Sequence, residues 1–190
     1  MTIKRSIKHV LFNIGIWYPI ERLSQTRAIR QWIANGMTGP APSALKARII
    51  RSYLERYSLD NFVETGTYEG GTLGYIAKTG VTCASIELSE DLYSSARQKF
   101  RNFANVQLIQ GDSAEQLPNV LAKIDRPTLF WLDGHYSAGI TARGKQDTPI
   151  SDELEAILRH PVQGHVILID DARCFNGENG YPALHRLLRS

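Results

Sequence analysis

The stretch Asn61-Phe-Val-Glu-Thr-Gly-Thr-Tyr-Glu-Gly-Gly-Thr72 decides the fold of this 190-residue chain. It begins with a short apolar run, Phe62-Val63, which is too brief for a helix and is bounded by polar residues, so it indicates the tip of a buried strand. The chain then turns through Gly66 and the Gly70-Gly71 pair into a predicted helix over residues 72–78. Glycine allows the backbone to pass close to a ligand, and the first turn of a helix offers that ligand N–H groups without intrahelical partners.

This turn differs from the glycine loop that binds dinucleotides. Its spacing is Glu-x-Gly-x-x-x-Gly, from Glu64 to Gly70, instead of Gly-x-Gly-x-x-Gly. A carboxylate at the strand end would repel a pyrophosphate, whereas it suits a ligand with a positive charge or hydroxyl groups. An NAD-dependent oxidoreductase on a similar sheet is therefore the less favoured alternative.

Beyond this turn, short apolar runs alternate with amphipathic helical segments. The predicted strands are 62–63, 83–86, 106–109, 129–132 and 166–169, and the predicted helices between them are 72–78, 90–103, 114–124 and 152–159. Repeated strand–helix units of this length predict an α/β fold with a Rossmann-like, doubly wound, mostly parallel sheet and helices on both faces. Residues 1–42 are predicted to form an N-terminal basic helical arm ending at a Gly-Pro linker, and residues 43–190 a single domain.

Composition and charge restrict the class of protein and its partners. The two cysteines, Cys83 and Cys174, lack metal-type spacing, which predicts reduced thiols and a cytoplasmic location, and no segment is long and apolar enough to cross a bilayer. Residues 1–58 hold ten basic and two acidic residues, a net charge of +8, so the rest carries −5 of the total of +3. This basic N-terminal third suits an anionic partner, although solvated helix faces explain its charge more simply. Nucleic acid is not expected, because no aromatic residues interleave with the basic ones.

Nearly every predicted strand is followed by an acidic residue. The acids are Glu64, Glu87, Asp112, Asp133 and the pair Asp170-Asp171. In open parallel sheets, ligands bind at the carboxyl ends of the strands. We therefore expect these carboxylates to gather along one rim of the sheet and to bind a ligand there.

Two of these acids have the positions of nucleoside-binding residues. Glu87 lies 21 residues beyond Gly66, at the end of the second strand, where an acid can accept hydrogen bonds from both hydroxyls of a ribose. The Gly111-Asp112-Ser113 turn can place a carboxylate or a hydroxyl against an adenine edge. Asp112 also suits a helix N-cap, with Glu115 completing a capping box. Both roles for Asp112 stay open.

The combined motifs resemble those of class I S-adenosylmethionine-dependent methyltransferases. They are Val63–Gly70, Ser85–Glu87, Gly111–Ser113, Leu132–Gly134 and Ile169–Asp171, in the family's order over roughly residues 58–185. The resemblance implies strand order 3-2-1-4-5 and the cofactor S-adenosylmethionine. Its methionine part would lie against Glu64 and the turn residues Gly66, Thr67, Tyr68, Gly70, Gly71 and Thr72. Glu87 would bind the ribose, Asp112 and Ser113 the adenine side, and Asp133 is a further cofactor-binding candidate.

The later motifs resemble the metal-dependent sugar O-methyltransferases of the macrocin type. That resemblance makes Asp133, Asp170 and Asp171 the metal ligands, and places His135 where the family has an aspartate. The residues favour a cation independently, because three carboxylates at adjacent strand ends repel one another unless a cation neutralises them, and all-oxygen ligands favour Mg²⁺, Mn²⁺ or Ca²⁺ over zinc. Asp133 and His135 are the predicted catalytic residues: the cation would hold a substrate hydroxyl, and His135 would remove its proton.

The sequence thus predicts a methyltransferase that acts on a hydroxyl of a small polar or glycosyl acceptor with Mg²⁺. Arg143 and Lys145, in the loop after His135, suit an anionic group on that acceptor. The alternative from another class is a non-catalytic or truncated cofactor-binding module. The chain stops soon after the fifth strand, where the family adds two strands, so we expect the N-terminal arm or a second copy of the chain to cover the open edge.

Overall fold

The computed structural model describes residues 17–133, 149–170, 175–177 and 183, with side chains from residue 26 onwards. The helices are α1 (Trp17–Ala34), α2 (Ser43–Arg56), α3 (Gly71–Ile76), α4 (Glu90–Phe100), α5 (Ser113–Leu121) and α6 (Ile150–Leu158), with a 3₁₀ turn at Ala77–Thr79. The strands are β1 (Asn61–Thr65), β2 (Thr82–Glu87), β3 (Val106–Gln110), β4 (Leu129–Leu132) and β5 (Val166–Ile169). Within the described residues, no helix has the length and apolar character needed to span a membrane.

The chain divides into two compact units, Met1–Lys46 and Ala47–Ser190. In the first unit, α1 provides the predicted N-terminal helical extension. The loop after α1 is tied back to it, because Trp32 Nε1 donates a hydrogen bond to the Gly39 carbonyl over 3.4 Å. The domain boundary after residue 42 stays a prediction.

The second unit is built on a five-stranded sheet in the order β3-β2-β1-β4-β5, and every neighbouring pair is parallel. β1 is central, and its Val63 pairs with Ala84 of β2 and Phe130 of β4. The predicted α/β class, parallel sheet and strand order are therefore confirmed. β1 extends to Thr65, three residues beyond the start of its apolar run, because its polar end remains in the hydrogen-bonded ladder.

Helices cover both faces of the sheet, as predicted for a doubly wound fold. One apolar layer joins strand residues to α2, α3 and α4, and contains Phe62, Cys83, Leu129, Trp131, Ile50, Leu54, Leu73, Ile76 and Phe100. The other joins strand residues to α5 and α6, and contains Val63, Ile86, Phe130, Leu132, Leu117, Val120, Leu121, Ile150 and Ile157. Successive strand residues point to opposite faces, so the two layers share each strand.

This alternation decides where the polar end of β1 points. Glu64 bonds Ser85, which follows Cys83 by two residues in β2, so it lies on the face covered by α2, α3 and α4. Thr65 is next to it and therefore lies on the opposite face, with α5 and α6. Two consecutive polar residues thus serve opposite sides of the same strand end.

Candidate functional site

The acids after the strands lie along one rim of the sheet. β1, β2 and β4 end level with one another, since Thr65 pairs with Ile86 and with Leu132. The ladders continue past the strand ends, because Asp133 N donates to the Thr65 carbonyl over 3.2 Å and Asp170 N donates to the Leu132 carbonyl over 2.9 Å. Glu87, Asp112, Asp133 and Asp170 therefore lie together at the carboxyl edge, and Glu64 lies one residue before the end of β1. This is the edge where open parallel sheets bind their ligands.

Glu64 is held by a chain of hydroxyl groups. Ser85 Oγ donates to Glu64 Oε1 over 2.8 Å, and Thr67 Oγ1 lies 2.6 Å from Ser85 Oγ. Since the Ser85 proton goes to the carboxylate, Thr67 is the donor to Ser85. Glu64 is only 2% exposed, so its side chain lies inside the protein, beneath the start of the turn, and does not project into solvent at the rim.

The turn between β1 and α3 has a strongly constrained backbone. Gly66, Tyr68 and Gly70 all have positive φ, at 83°, 50° and 63°, which is uncommon for a tyrosine. A Cβ atom at Gly70 would lie 2.7 Å from Cε2 of Phe100, so only glycine fits there. Lys99 Nζ donates to the Glu69 carbonyl over 2.6 Å and to the Gly70 carbonyl over 2.8 Å. Helix α4 therefore holds the turn in shape, and the predicted Gly71 and Thr72 follow as the first residues of α3.

Glu87 ends β2 with both carboxylate oxygens already oriented. Tyr68 N donates to Oε2 over 2.7 Å, and Ser89 N donates to Oε1 over 2.9 Å. A carboxylate has about four acceptor sites, so two remain for other donors. This arrangement suits a ligand with two neighbouring hydroxyl groups, such as a ribose.

Asp112 caps α5. Its Oδ1 accepts a hydrogen bond from Ala114 N over 3.0 Å, and the backbone of Asp112 is extended, as an N-cap requires. Ser113 follows as the first helical residue and is buried. The capping role is thus observed, while contact of Asp112 and Ser113 with an adenine stays a prediction.

The predicted metal ligands are placed only in part. Asp133 and Asp170 follow neighbouring strands, β4 and β5, at the same edge. Asp171 and His135 lie outside the described residues, as do Arg143, Lys145 and Cys174. Within the described residues, no group of three or more His, Cys, Asp or Glu side chains is arranged to hold a metal ion. The oxygen donors present are of the type that Mg²⁺ prefers, but the magnesium site stays a prediction.

Sequence reasoning missed one acid at this edge, Glu153 of α6. It is 1% exposed, and burial raises its pKa to about 7, with smaller contributions from the charges of Asp112 and Asp152. The hydroxyls of Ser113 and Thr65 act in the other direction and lower this pKa. A signal was present in the sequence, because Glu153 falls at helical spacing between Ile150 and Ile157, in the apolar stripe of the helix.

A groove of about 700 Å³ lies at the opposite end of the sheet. It is lined by Asn61 and Thr82, the first residues of β1 and β2, and by residues at and near β3 and α5, among them Asn105, Gln107 and Lys123. The acids of the carboxyl rim do not line it. We therefore take the rim, not this groove, as the candidate active site.

Comparison with known proteins shows which solved structures share this fold. No protein-family model matches the sequence, and no curated protein matches it. Among solved structures, an O-methyltransferase from Bacillus cereus in complex with S-adenosylhomocysteine superposes with a TM-score of 0.59 at 18% identity, over 87% of this chain and 75% of that chain. The chain has the fold of a methyltransferase.

Two further structures show the same fold. The O-methyltransferase TomG from Streptomyces achromogenes, involved in tomaymycin synthesis and solved with S-adenosylmethionine, gives a TM-score of 0.58 at 16% identity, over 87% of this chain and 74% of that one. The S-adenosylhomocysteine-bound methyltransferase PaMTH1 from Podospora anserina gives 0.55 at 16% identity, over 85% and 71%. At these identities the likeness is one of fold, and a shared fold does not by itself determine the activity.

Proposed function

We propose that this chain binds S-adenosylmethionine at the carboxyl rim and transfers its methyl group to a hydroxyl of a small polar or glycosyl acceptor. The observation that carries the proposal is the bond from Tyr68 N to Glu87 Oε2, which joins the glycine turn to the acid after β2. The turn can contact a nucleoside through its backbone, and the Glu87 carboxylate can accept hydrogen bonds from the two hydroxyl groups of its ribose. The neighbours of this fold include methyltransferases solved with S-adenosylmethionine or S-adenosylhomocysteine.

The residues of the rim have distinct roles in binding. Glu87 accepts hydrogen bonds from the ribose hydroxyls, and Asp112 and Ser113 face the adenine. Glu64 lies beneath the turn, and its negative charge favours a cationic ligand above it. Gly70 leaves room for the Phe100 ring, which supports the turn that the methionine part would meet.

The same residues suit methyl transfer to oxygen. When bound, S-adenosylmethionine supplies an electrophilic methyl group on its sulfonium sulfur, and its transfer to the acceptor oxygen leaves S-adenosylhomocysteine as the second product. His135 accepts the hydroxyl proton, since an unperturbed imidazole titrates near neutral pH. Asp133, Asp170 and Asp171 would hold Mg²⁺, which lowers the pKa of a hydroxyl bound to it.

Ligand binding tests the cofactor first. S-adenosylhomocysteine should raise the melting temperature of the protein, because a ligand that binds the native state stabilises it, and NADH should not. In the Glu87→Gln variant the stabilisation should largely disappear. Glu90→Gln is the matched control, because Glu90 lies three residues later in the first turn of α4. Stabilisation by NADH alone would refute the proposal.

The metal and the reaction need separate measurements. Mg²⁺ should increase formation of S-adenosylhomocysteine from S-adenosylmethionine and a hydroxylated acceptor, and Asp170→Asn should abolish that increase. Binding of the cofactor should survive in Asp170→Asn, because Glu87 and Asp112 remain. Activity that is equal with Mg²⁺ and with a chelator would refute the metal, and cofactor binding without any transfer would favour the non-catalytic alternative.

A further inference from the structure

Glu153 is a buried acid to which the proposed chemistry gives no role. It lies on the inner side of α6, and neither of its carboxyl oxygens has a hydrogen bond of good geometry within the described residues. A buried ionised carboxylate without such bonds is strongly disfavoured. Its presence in the apolar stripe of a helix therefore calls for a function.

The position of Glu153 links two parts of the proposed cofactor site. It lies in the layer that joins α5 and α6 to the face of β1 carrying Thr65, and the hydroxyls of Thr65 and Ser113 act on the pKa of its carboxyl. Thr65 is the last residue of β1, directly before Gly66, and its Oγ1 also accepts a hydrogen bond from Asp133 N over 3.3 Å. Ser113 is the first residue of α5, next to the cap Asp112. Glu153 thus lies between the strand end that carries the glycine turn and the helix turn that faces the adenine.

The surroundings favour the neutral form of this carboxyl. Burial is the largest effect and raises the pKa of the carboxyl to about 7, although the hydroxyls of Ser113 and Thr65 lower it; the charges of Asp112 on α5 and Asp152 on α6 add to the effect of burial. Thr65, which is neutral, is the β1 residue that affects the pKa of this carboxyl. Glu64 of the same strand bonds Ser85 on the other face of the sheet. A neutral carboxyl has one donor as well as acceptor capacity, whereas the ionised form has acceptors alone.

We propose that Glu153 is a positioning residue for the cofactor site, whose protonated carboxyl joins the hydroxyls of Thr65 and Ser113 and so holds the end of β1 against the first turn of α5. This inference rests on the proposed function, since it concerns the same rim. Loss of the proton adds a buried negative charge that repels Asp112, the cap of α5. The first turn of α5 then shifts, and the cofactor binds less tightly.

The pH dependence of cofactor binding tests this role. For the wild-type chain, the Kd for S-adenosylhomocysteine should rise up to about tenfold between about pH 6 and about pH 8, because the binding-competent fraction falls as the carboxyl ionises. Glu153→Gln is neutral at every pH and of the same size, so its Kd should stay nearly constant over this range. Glu155→Gln is the control: Glu155 lies on the same helix, is exposed and pairs with Arg159, so this variant should keep the wild-type profile.

Each outcome has a distinct meaning. A flat profile in the wild type, or the wild-type profile retained in Glu153→Gln, would overturn the role of Glu153, and the second result would assign the titration to another group such as His135. Should Glu153→Gln fail to fold, calorimetry of the wild type in two buffers of different ionisation enthalpy decides the point. Binding near pH 7.5 should then take up a fraction of a proton, and zero uptake overturns the inference. Absence of binding at every pH would refute the proposed function, and the inference with it.

Discussion

Tyr68 and Glu87 are joined across the rim by a 2.7 Å hydrogen bond from the Tyr68 backbone N–H to the Glu87 carboxylate. Tyr68 adopts a left-handed backbone conformation, with φ of 50°, which is sparsely populated for a residue with a side chain. A charge-assisted hydrogen bond offsets part of that strain, because bonds to an ionised acceptor are the stronger ones. The shape of the glycine turn and the orientation of the acid therefore depend on each other.

Glu87→Gln should weaken both the turn and ligand binding. The amide has one oxygen where the carboxylate has two, so either Tyr68 N or Ser89 N loses its acceptor. We expect a loss of about 1–3 kcal/mol in the free energy of unfolding, as is usual when a buried donor loses its partner. Chemical denaturation measures this loss. An unchanged free energy of unfolding would show that the two N–H groups do not depend on the carboxylate.

Gly70→Ala should destabilise the protein more than Gly80→Ala. Both glycines have positive φ, so both substitutions strain the backbone, but only the new methyl group at Gly70 meets a side chain, Phe100 at 2.7 Å. We expect Gly80→Ala to cost about 1 kcal/mol and Gly70→Ala about 1–3 kcal/mol more, the usual range for overpacking. Thermal unfolding of the two variants gives the comparison. Adding Phe100→Leu to Gly70→Ala should recover part of the loss; no recovery would mean that Phe100 is not the obstacle.

Asp112 variants separate the capping role from a role in binding. Asp112→Asn keeps a side-chain oxygen for Ala114 N, whereas Asp112→Ala removes it. Asp112→Ala should therefore lower the free energy of unfolding by about 1 kcal/mol, and Asp112→Asn should change it little. Titration with S-adenosylhomocysteine completes the test. Weaker binding in the stable Asp112→Asn variant indicates that the carboxylate contacts the ligand, and equal binding limits Asp112 to the cap.

A pair of histidines at the opposite end of the sheet gives stability a pH dependence. Thr128 N donates to His165 Nδ1 over 3.1 Å, so His165 Nε2 carries the proton that it shares with His160 Nδ1 over 2.9 Å. Burial, and then the charge of His160, lower the pKa of His165 below its usual value of 6.5. A lowered pKa in the folded state means that the stabilisation is present above about pH 6.5 and is lost as the pH falls below it.

The measurement is the melting temperature between about pH 7.5 and about pH 5. The Glu153→Gln variant should lose stability towards acid, and adding His165→Asn should reduce that loss, because the double variant has no such proton to take up. Glu153 acts in the opposite direction: its raised pKa makes its burial less costly as the pH falls through about 7. The change of melting temperature with pH that is due to His165 is therefore clearest in the Glu153→Gln background. If this pH dependence is the same in Glu153→Gln and in the double variant with His165→Asn, His165 is not its source.

The sequence was sufficient to predict the sheet and the row of acids at its carboxyl edge. β4 and β5 coincide with the apolar runs at 129–132 and 166–169, and the parallel topology places the acids that follow them at one edge, whatever the details of packing. The N-cap at Asp112 was also predictable, because it depends on residues within one helical turn.

Contacts between distant residues were not predictable in this way. Lys99 and Phe100 determine the shape of the turn at Gly70 from 29 and 30 residues along the chain, and no local pattern marks them. Glu64 was expected at the rim, but the pleat of β1 turns it onto one face, beneath the turn and against Ser85. Glu153 lies in an apolar stripe, and only the packed structure shows that Thr65 and Ser113 surround it.

The central claim is that the carboxyl rim binds S-adenosylmethionine through Glu87 and the glycine turn. Isothermal titration of the wild type and of Glu87→Gln with S-adenosylhomocysteine tests it most directly. We expect one site per chain in the wild type and an affinity at least about tenfold lower in the variant, as the loss of hydrogen bonds to a charged group implies. Equal affinity in both proteins, or no binding to the wild type, would contradict the claim.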